Sequence, residues 1–379
     1  MELTAGQKKG LEIACKRYNT NEPYTVIAGY AGTGKSTLVS FIVSSLNIRP
    51  YDVGYIAYTG KAALVLKNKG CKNAMTAHKM LYNSTELPDG TFQHTPKEKL
   101  SKPYKLIVCD EASMLPQEMI SLLLSHGVHV LFLGDNAQLP PIDGKQTILD
   151  APHVFLDEIT RQAYNNPIIQ MSMNVRNNQA LSLGGSKRCR VIEKNKVSDR
   201  LLLGADQILV GKNKTRHQLN NYVRHIKWGD AYSDLPLDGD KVICLKNYWN
   251  IVDSNSNALV NGQIGVLQNI RIENMPPYGT VIKADVITDS GDVFKNLLLD
   301  CDLLEKGVPT VNSSNWILYV NAPRLLEFAY GYAITVHKAQ GSEFDRVLVY
   351  DEWLGNREEH KKWLYTAITR ASEQLVIAK

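Results

Sequence analysis

Apolar positions along this chain gather in short, nearly unbroken runs. They lie at 24–28, 55–58, 106–109, 128–133, 207–210, 346–350 and 375–378, each four to six residues long. A strand covered on both faces gives that pattern, whereas a half-exposed strand alternates. Between the runs, residues 4–18, 38–46 and 62–69 carry apolar side chains at helical spacing. Strand and helix in alternation predict an α/β fold with parallel sheets. Residues 237–325 break the rhythm. Runs at 242–245, 263–267, 280–288 and 293–298, with Asp289-Ser290-Gly291-Asp292 as a turn, predict a small all-β insertion of module size.

The chemistry sits where the runs end. After 24–28 comes Gly29-Tyr30-Ala31-Gly32-Thr33-Gly34-Lys35-Ser36-Thr37, a fit to G-x-x-x-x-G-K-[ST] between a strand and a helix. Glycines let backbone N–H groups turn inward around phosphate oxygens, and the helix start adds partial positive charge. Lys35 is placed to reach the outer phosphates and Ser36 to ligate Mg²⁺. After 106–109 come Asp110 and Glu111, the first a Mg²⁺ carboxylate, the second a base for the attacking water. After 128–133 comes Gly134-Asp135-Asn136-Ala137-Gln138-Leu139-Pro140-Pro141. Its Gln138 amide can bond a γ-phosphate or the water, and the two prolines stiffen the end of the segment.

Other positions carry two readings. Thr4 and Gln7 fit a T-x-x-Q capping box, while the Gln7 amide also lies where it could read a nucleotide base. Thr59 and Lys61 come after the run at 55–58 and suit either a phosphate of a second ligand or a solvated turn. Thr76 and His78 open another helical piece. Asp89-Gly90 is a two-residue hairpin turn with Phe92 just beyond it, a plain surface feature on its own. Asn213 and Arg216 suit a nucleic-acid phosphate or a helix cap.

Composition narrows the picture only slightly. The chain has 379 residues, too many for one ordinary core, and a net charge of +5 that permits a polyanionic partner. Its six cysteines form no C-x-x-C, so zinc and disulfide frameworks are not suggested and reduced cytosolic thiols are expected. The first residues lack a signal peptide's apolar core, and no run is long enough to span a bilayer.

The motifs GYAGTGKST, AYTGKAA, TAH, DEAS and GDNAQLPP, in that order, resemble those of superfamily 1 helicases, and within them the RecD/Dda branch of superfamily 1B. The resemblance implies two RecA-like P-loop NTPase domains with parallel sheets, a small SH3-like β-barrel insertion and a β-hairpin insertion. Domain 1A would span 1–156 with the hairpin at 82–102, domain 2A 157–236 and 326–379, and domain 2B 237–325. FLDEITRQ then carries an arginine finger, Arg161, for which an ion pair with Asp157 or Glu158 is the alternative. YAITVHKAQG places Thr335, His337 and Lys338 on a nucleic-acid backbone and Gln340 and Gly341 toward the nucleotide. WLYTAITRA supplies a second γ-phosphate arginine, Arg370, with Tyr365 near the base. A strand would be gripped by Thr59, Lys61, Thr76, His78, Pro140, Asn213, Thr335, His337 and Lys338, and Phe92 would stack at a separation pin. The implied activity is an ATP- and Mg²⁺-dependent DNA helicase on single-stranded and forked DNA, moving 5′ to 3′, serving replication, recombination or repair. Protein-displacing translocase and RNA helicase are the alternatives. A monomer in the cytoplasm of a bacterial or phage-infected cell, without membrane contact, is expected, with replication or single-strand-binding proteins as further partners.

Overall fold

The computed structural model describes residues 2–86, 92–140, 148–159, 165–254, 257–312, 315–319 and 322–379. Two compact units divide the chain: Met1–Ser84, His94–Lys196 and Ala339–Lys379 form one, Thr85–Gln93 and Val197–Lys338 the other.

The first unit is built on a six-stranded sheet. Its strands are β1 (Tyr24–Gly29), β2 (Val53–Ala57), β3 (Ala74–Thr76), β6 (Leu106–Cys109), β7 (His129–Gly134) and β8 (Val154–Leu156), in the order β3-β2-β6-β7-β1-β8. All pair in parallel. The unbroken apolar runs are explained by the two cores they feed. Val26, Ala28, Ile107, Cys109, Val130 and Phe132 enter one core. Their neighbours Ile27, Leu106, Val108, Leu131 and Leu133 enter the other. Period-two geometry sends alternate residues to opposite faces, and here both faces are dry. The order also brings the ends of β1, β2, β6 and β7 to one carboxyl edge, the edge where open α/β sheets bind ligands. Between β3 and β6, β4 (Tyr82–Glu86) and β5 (Phe92–Pro96) form a two-stranded sheet; the expected Asp89-Gly90 turn lies outside the described residues.

The same unit also contains β9 (Gly184–Gly185), β10 (Cys189–Ile192), β20 (Phe344–Tyr350) and β21 (Ala371–Ala378). β10 and β20 flank β21 in parallel, and β9 caps β10 antiparallel. Helix Arg357–Ile368 leads into β21, opened by a capping box between Asn356 and Glu359.

In the second unit β11 (Gln207–Val210) pairs in parallel with β19 (Ala333–Thr335). The insertion between them is a five-stranded antiparallel sheet ordered β17-β16-β15-β12-β18. Its strands are β12 (Lys241–Cys244), β15 (Ile264–Met275), β16 (Gly279–Thr288), β17 (Val293–Leu299) and β18 (Phe328–Tyr330), with β13 (Tyr248–Val252) and β14 (Ala258–Leu259) as a separate pair. β15 runs eight residues past its expected end at 267, crossing a bulge where Asn269 takes φ +54. Its outer half is mostly half-buried or exposed, so hydrophobic patterning cannot signal it.

Candidate functional site

The phosphate loop joins β1 to helix Lys35–Ser45, with Gly32 at φ +79 and Gly34 at φ +76, conformations that glycine adopts without strain. A Cβ on Gly29 would stand 2.9 Å from both the Leu156 carbonyl oxygen and the Thr33 hydroxyl, so only glycine fits there. The Lys35 ammonium donates to the Gly29 and Tyr30 carbonyls at 2.6 and 3.0 Å, which anchors it over the loop. Thr33 donates its hydroxyl to the Tyr30 carbonyl at 2.8 Å, and Gln7 donates its amide to the Thr33 carbonyl at 3.0 Å. The Gln7 carbonyl accepts from Thr4 N–H at 3.0 Å, completing the capping box. Gln7 is therefore both a helix cap and a brace on the loop. Ser36 is exposed on the first helical turn and Thr37 half-buried behind it.

Asp110 and Glu111 sit at the carboxyl end of β6. Burial, then the Glu111 charge, push Asp110 up to about 6, against the Glu111 N–H bond to its carboxylate and the Lys35 charge. Glu111 has φ +51, a strained conformation for a side-chain residue and one that often marks a working position. At the end of β7, Asp135 is buried and shifted upward by desolvation, against Lys35 and a Tyr365 hydrogen bond. Lys35 thus acts on both acids, which places the three groups in one electrostatic neighbourhood.

Gln138 is 6 % exposed, and its side-chain oxygen is buried with no hydrogen-bond partner among the described residues. A buried acceptor left empty costs about 1–3 kcal/mol, so it marks a position suited to a donor from outside the protein. The loop around it is pinned from two sides. Leu139 N–H donates to the Thr366 hydroxyl at 2.9 Å, and the Leu139 carbonyl accepts from the Gln340 amide at 3.2 Å. Pro140, next along, is half-buried.

Tyr365, the residue expected near a base, links two loops of this unit. Its hydroxyl accepts from Ala31 N–H at 3.1 Å and donates to Asp135 at 2.6 Å, bridging the phosphate loop and the β7 end. Arg370 is buried and makes three side-chain bonds, to the Thr366 and Ser342 carbonyls and the Thr369 hydroxyl, all neutral oxygens. Gly341, at φ +74, packs so that a Cβ would meet Ala62 Cβ at 2.8 Å and the Thr59 hydroxyl at 3.3 Å. Arg161 lies outside the described residues, as does the Phe92 side chain.

Arg176, which no sequence motif singled out, stacks its guanidinium 3.5 Å over the Tyr30 ring and has a buried nitrogen without a partner among the described residues. Asp135 lay inside GDNAQLPP, and a carboxylate directly after a buried strand could have flagged it. Nothing in the local sequence signals Thr366 or Arg176.

The positions expected to hold a strand divide between the units. In the first, Thr59 and Thr76 cap helices Gly60–Asn68 and Ala77–Leu81 through Ala62 and Lys79 N–H. Lys61 lies 4.9 Å over the Phe344 ring. His78 joins Tyr58, Tyr82 and His94 in a ring cluster, and burial, then the His94 charge, lowers its pKa. In the second, Asn213 is exposed at the start of helix Asn213–Trp228, and Thr335 ends β19. His337 is half-buried and shifted down by desolvation, and Lys338 donates to Asn261 at 3.1 Å. Asn220, on that same helix, exchanges two bonds with the Ala333 backbone, both 2.9 Å, and fixes the β19 end.

The AAA domain family profile matches residues 2–194, and the UvrD-like helicase C-terminal domain profile matches residues 330–378. The ATP-dependent RecD2 DNA helicase of Deinococcus radiodurans is 29% identical over 378 residues, covering 93% of this chain and 46% of that protein. The ATP-dependent DNA helicase dda of Enterobacteria phage T4 is 32% identical over 192 residues, 46% of this chain and 43% of that protein. The chain thus spans about half the length of these curated relatives. The fold resembles the crystal structure of Bacteroides Pif1 bound to ssDNA, with TM-score 0.59 at 18% identity over 100% of this chain and 92% of that one.

Proposed function

We propose a function from one premise: the chain belongs to the superfamily 1B helicases of the RecD/Dda type, with the AAA domain over its first half. It is an ATP-driven motor that moves on single-stranded DNA and separates duplex strands. The observation that carries this reading is the empty Gln138 acceptor beside a complete phosphate loop, on a segment pinned at Leu139 by Thr366 and Gln340.

The glycine cradle and the Lys35 ammonium fit a triphosphate, and Ser36 with Asp110 would hold Mg²⁺. Bound ATP and its metal supply the phosphoanhydride to be broken and the charge that offsets its oxygens. Glu111 takes one proton of the attacking water and the Gln138 oxygen takes the hydrogen bond of the other. Lys35 exchanges its carbonyl partners for phosphate oxygen. Arg370, already stripped of water and paired only with neutral oxygens, is suited to an anion that develops charge, as is Arg161. Gln7 could read the base only by giving up a bond to Thr4 or Thr33.

The division into RecA-like domains 1A (1–156) and 2A (157–236 and 326–379), with an SH3-like 2B (237–325) and a pin at 82–102 carrying Phe92, is part of the same reading. The chain's relatives support the DNA partner: Bacteroides Pif1 was crystallised with ssDNA, and RecD2 and dda are named DNA helicases. In this chain the strand would lie on Thr59, Lys61, Thr76, His78, Pro140, Asn213, Thr335, His337 and Lys338, held by phosphate charge and stacking. The 5′ to 3′ direction rests on the family branch alone.

Forked DNA duplexes with one fluorescent strand, mixed with ATP and Mg²⁺, test the reading. Strands should separate when the loading tail is 5′. Separation only from 3′ tails would reverse the direction. Faster hydrolysis with DNA but no separation from either tail would leave a translocase that displaces proteins.

A further inference from the structure

Tyr365 makes a connection that the proposed chemistry leaves unused. Its side chain is 1% exposed, and its hydroxyl sits between an amide of the phosphate loop and a buried acid. It accepts from Ala31 N–H at 3.1 Å and donates to Asp135 at 2.6 Å. Asp135 spends its other oxygen on Ala137 N–H at 3.0 Å, within the turn that leads to Gln138. Gln138 N–H in turn donates to the Asp135 carbonyl at 3.2 Å. The residue after Tyr365, Thr366, holds Leu139 N–H at 2.9 Å on the far side of Gln138. Gln138 is thus bracketed by two bonds from adjacent residues of one helix, Arg357–Ile368, and the first of them also touches the phosphate loop.

We infer that Tyr365 is a positioning residue through which occupancy of the phosphate loop is reported to Gln138. The Ala31 amide belongs to the glycine-rich loop, whose backbone N–H groups are the kind of donor that cradles phosphate. A phosphate oxygen seated there competes with the Tyr365 hydroxyl for that N–H. Losing it leaves the hydroxyl bonded to Asp135 alone, and the helix and the Gln138 turn lose their tie to the loop together. Nucleotide binding is opposed by the bond it must displace, and that opposition is the signal. The class of ligand is a nucleoside di- or triphosphate. This inference rests on the nucleotide-site part of the proposed function and is independent of DNA unwinding.

The test is equilibrium binding of a fluorescent ADP analogue with Mg²⁺, without DNA, to the full chain and to Tyr365→Phe. The substitution keeps the ring packing and removes only the hydroxyl. Affinity should rise about threefold to tenfold, the size of one hydrogen bond. Tyr365→Leu removes the same hydroxyl with an apolar side chain and should shift affinity in the same direction, which keeps the test open if the phenylalanine variant does not fold. Thermal melting is recorded alongside. Lower melting temperatures with unchanged or weaker nucleotide affinity in both variants would make Tyr365 a packing residue and overturn the inference. Failure of the parent chain to bind the analogue at all would instead sink the nucleotide site itself.

Discussion

Two buried polar clusters in this molecule look alike in composition and differ in how they are completed. In the second unit, Arg224 and Asp240 are 1% and 0% exposed and pair at 3.0 Å. Asp240 also accepts from Trp228 at 2.9 Å, Tyr332 at 2.8 Å and Leu237 N–H at 2.9 Å. Arg224 also donates to the Ser233 and Leu235 carbonyls, both 2.9 Å, and to the Asp234 carbonyl at 3.4 Å, and lies 4.2 Å over the Tyr330 ring. The protein alone satisfies that cluster. The phosphate-loop cluster is not closed in this way among the described residues: Gln138 has a buried oxygen without a donor, Arg176 a buried nitrogen without an acceptor, and Arg370 no acid among its hydrogen bonds. Buried polar groups that saturate one another hold a fold together, whereas those left short mark chemistry that comes from outside.

Breaking the closed cluster should have the largest effect. Asp240→Ala strands the buried Arg224 charge and should cost about 3–5 kcal/mol, read by urea unfolding of the full chain. A loss below about 1 kcal/mol would mean the two clusters do not differ as described. Lys35→Ala is the counterpart in the open cluster. It should lower ATP turnover at least about a hundredfold while leaving the unfolding midpoint nearly unchanged. Full turnover in that variant would remove the phosphate loop from the mechanism.

Gln138→Leu separates the two kinds of burial within a single residue. Replacing a side chain whose buried oxygen has no donor among the described residues by an apolar group of similar size should leave the melting temperature equal or higher. Turnover should still fall by roughly tenfold or more, since the attacking water loses an acceptor. A variant both unstable and fully active would show that the amide serves packing.

The smallest effect concerns pH. His78, His129, His153, His217 and His337 are all shifted down, each mainly by desolvation. Their neutral forms are the ones the fold accommodates. Below about 6.5 the unfolded chain takes up protons that the native chain resists, so stability should fall as pH drops from about 7 toward 5. Asp110, raised to about 6, works in the opposite direction, losing stability as pH rises between about 4 and 6. His78→Gln should therefore flatten part of the acid limb in unfolding measurements. An acid limb identical to the parent's would clear His78 of that role.

The contrast also explains what the chain disclosed before its structure. The runs at 106–109 and 128–133 announce buried strands because both faces of β6 and β7 are covered, and glycines and acids at their ends obey local rules. Lys35, Asp110, Glu111 and Gln138 could be named because each role is set by a few adjacent residues. The bridge from Ala31 to Tyr365 and the bond from Leu139 to Thr366 join residues separated by 334 and 227 positions. Such pairs carry no local pattern. Asp240 lies in the polar stretch Leu237-Asp238-Gly239-Asp240, and its burial depends on Arg224 and Tyr332 arriving from elsewhere in the chain. The long outer half of β15 was invisible for another reason: it buries too little to leave a periodic trace.

The open cluster is held to be the engine of a DNA motor, and steady-state ATP hydrolysis by the parent chain, titrated with single-stranded oligonucleotide at low salt, addresses that most directly. The rate should rise severalfold to a plateau, with little dependence on base sequence, and the stimulation should weaken as salt is added. A rate that stays flat across the whole titration would contradict the coupling of Gln138 and its pinned loop to a nucleic-acid strand.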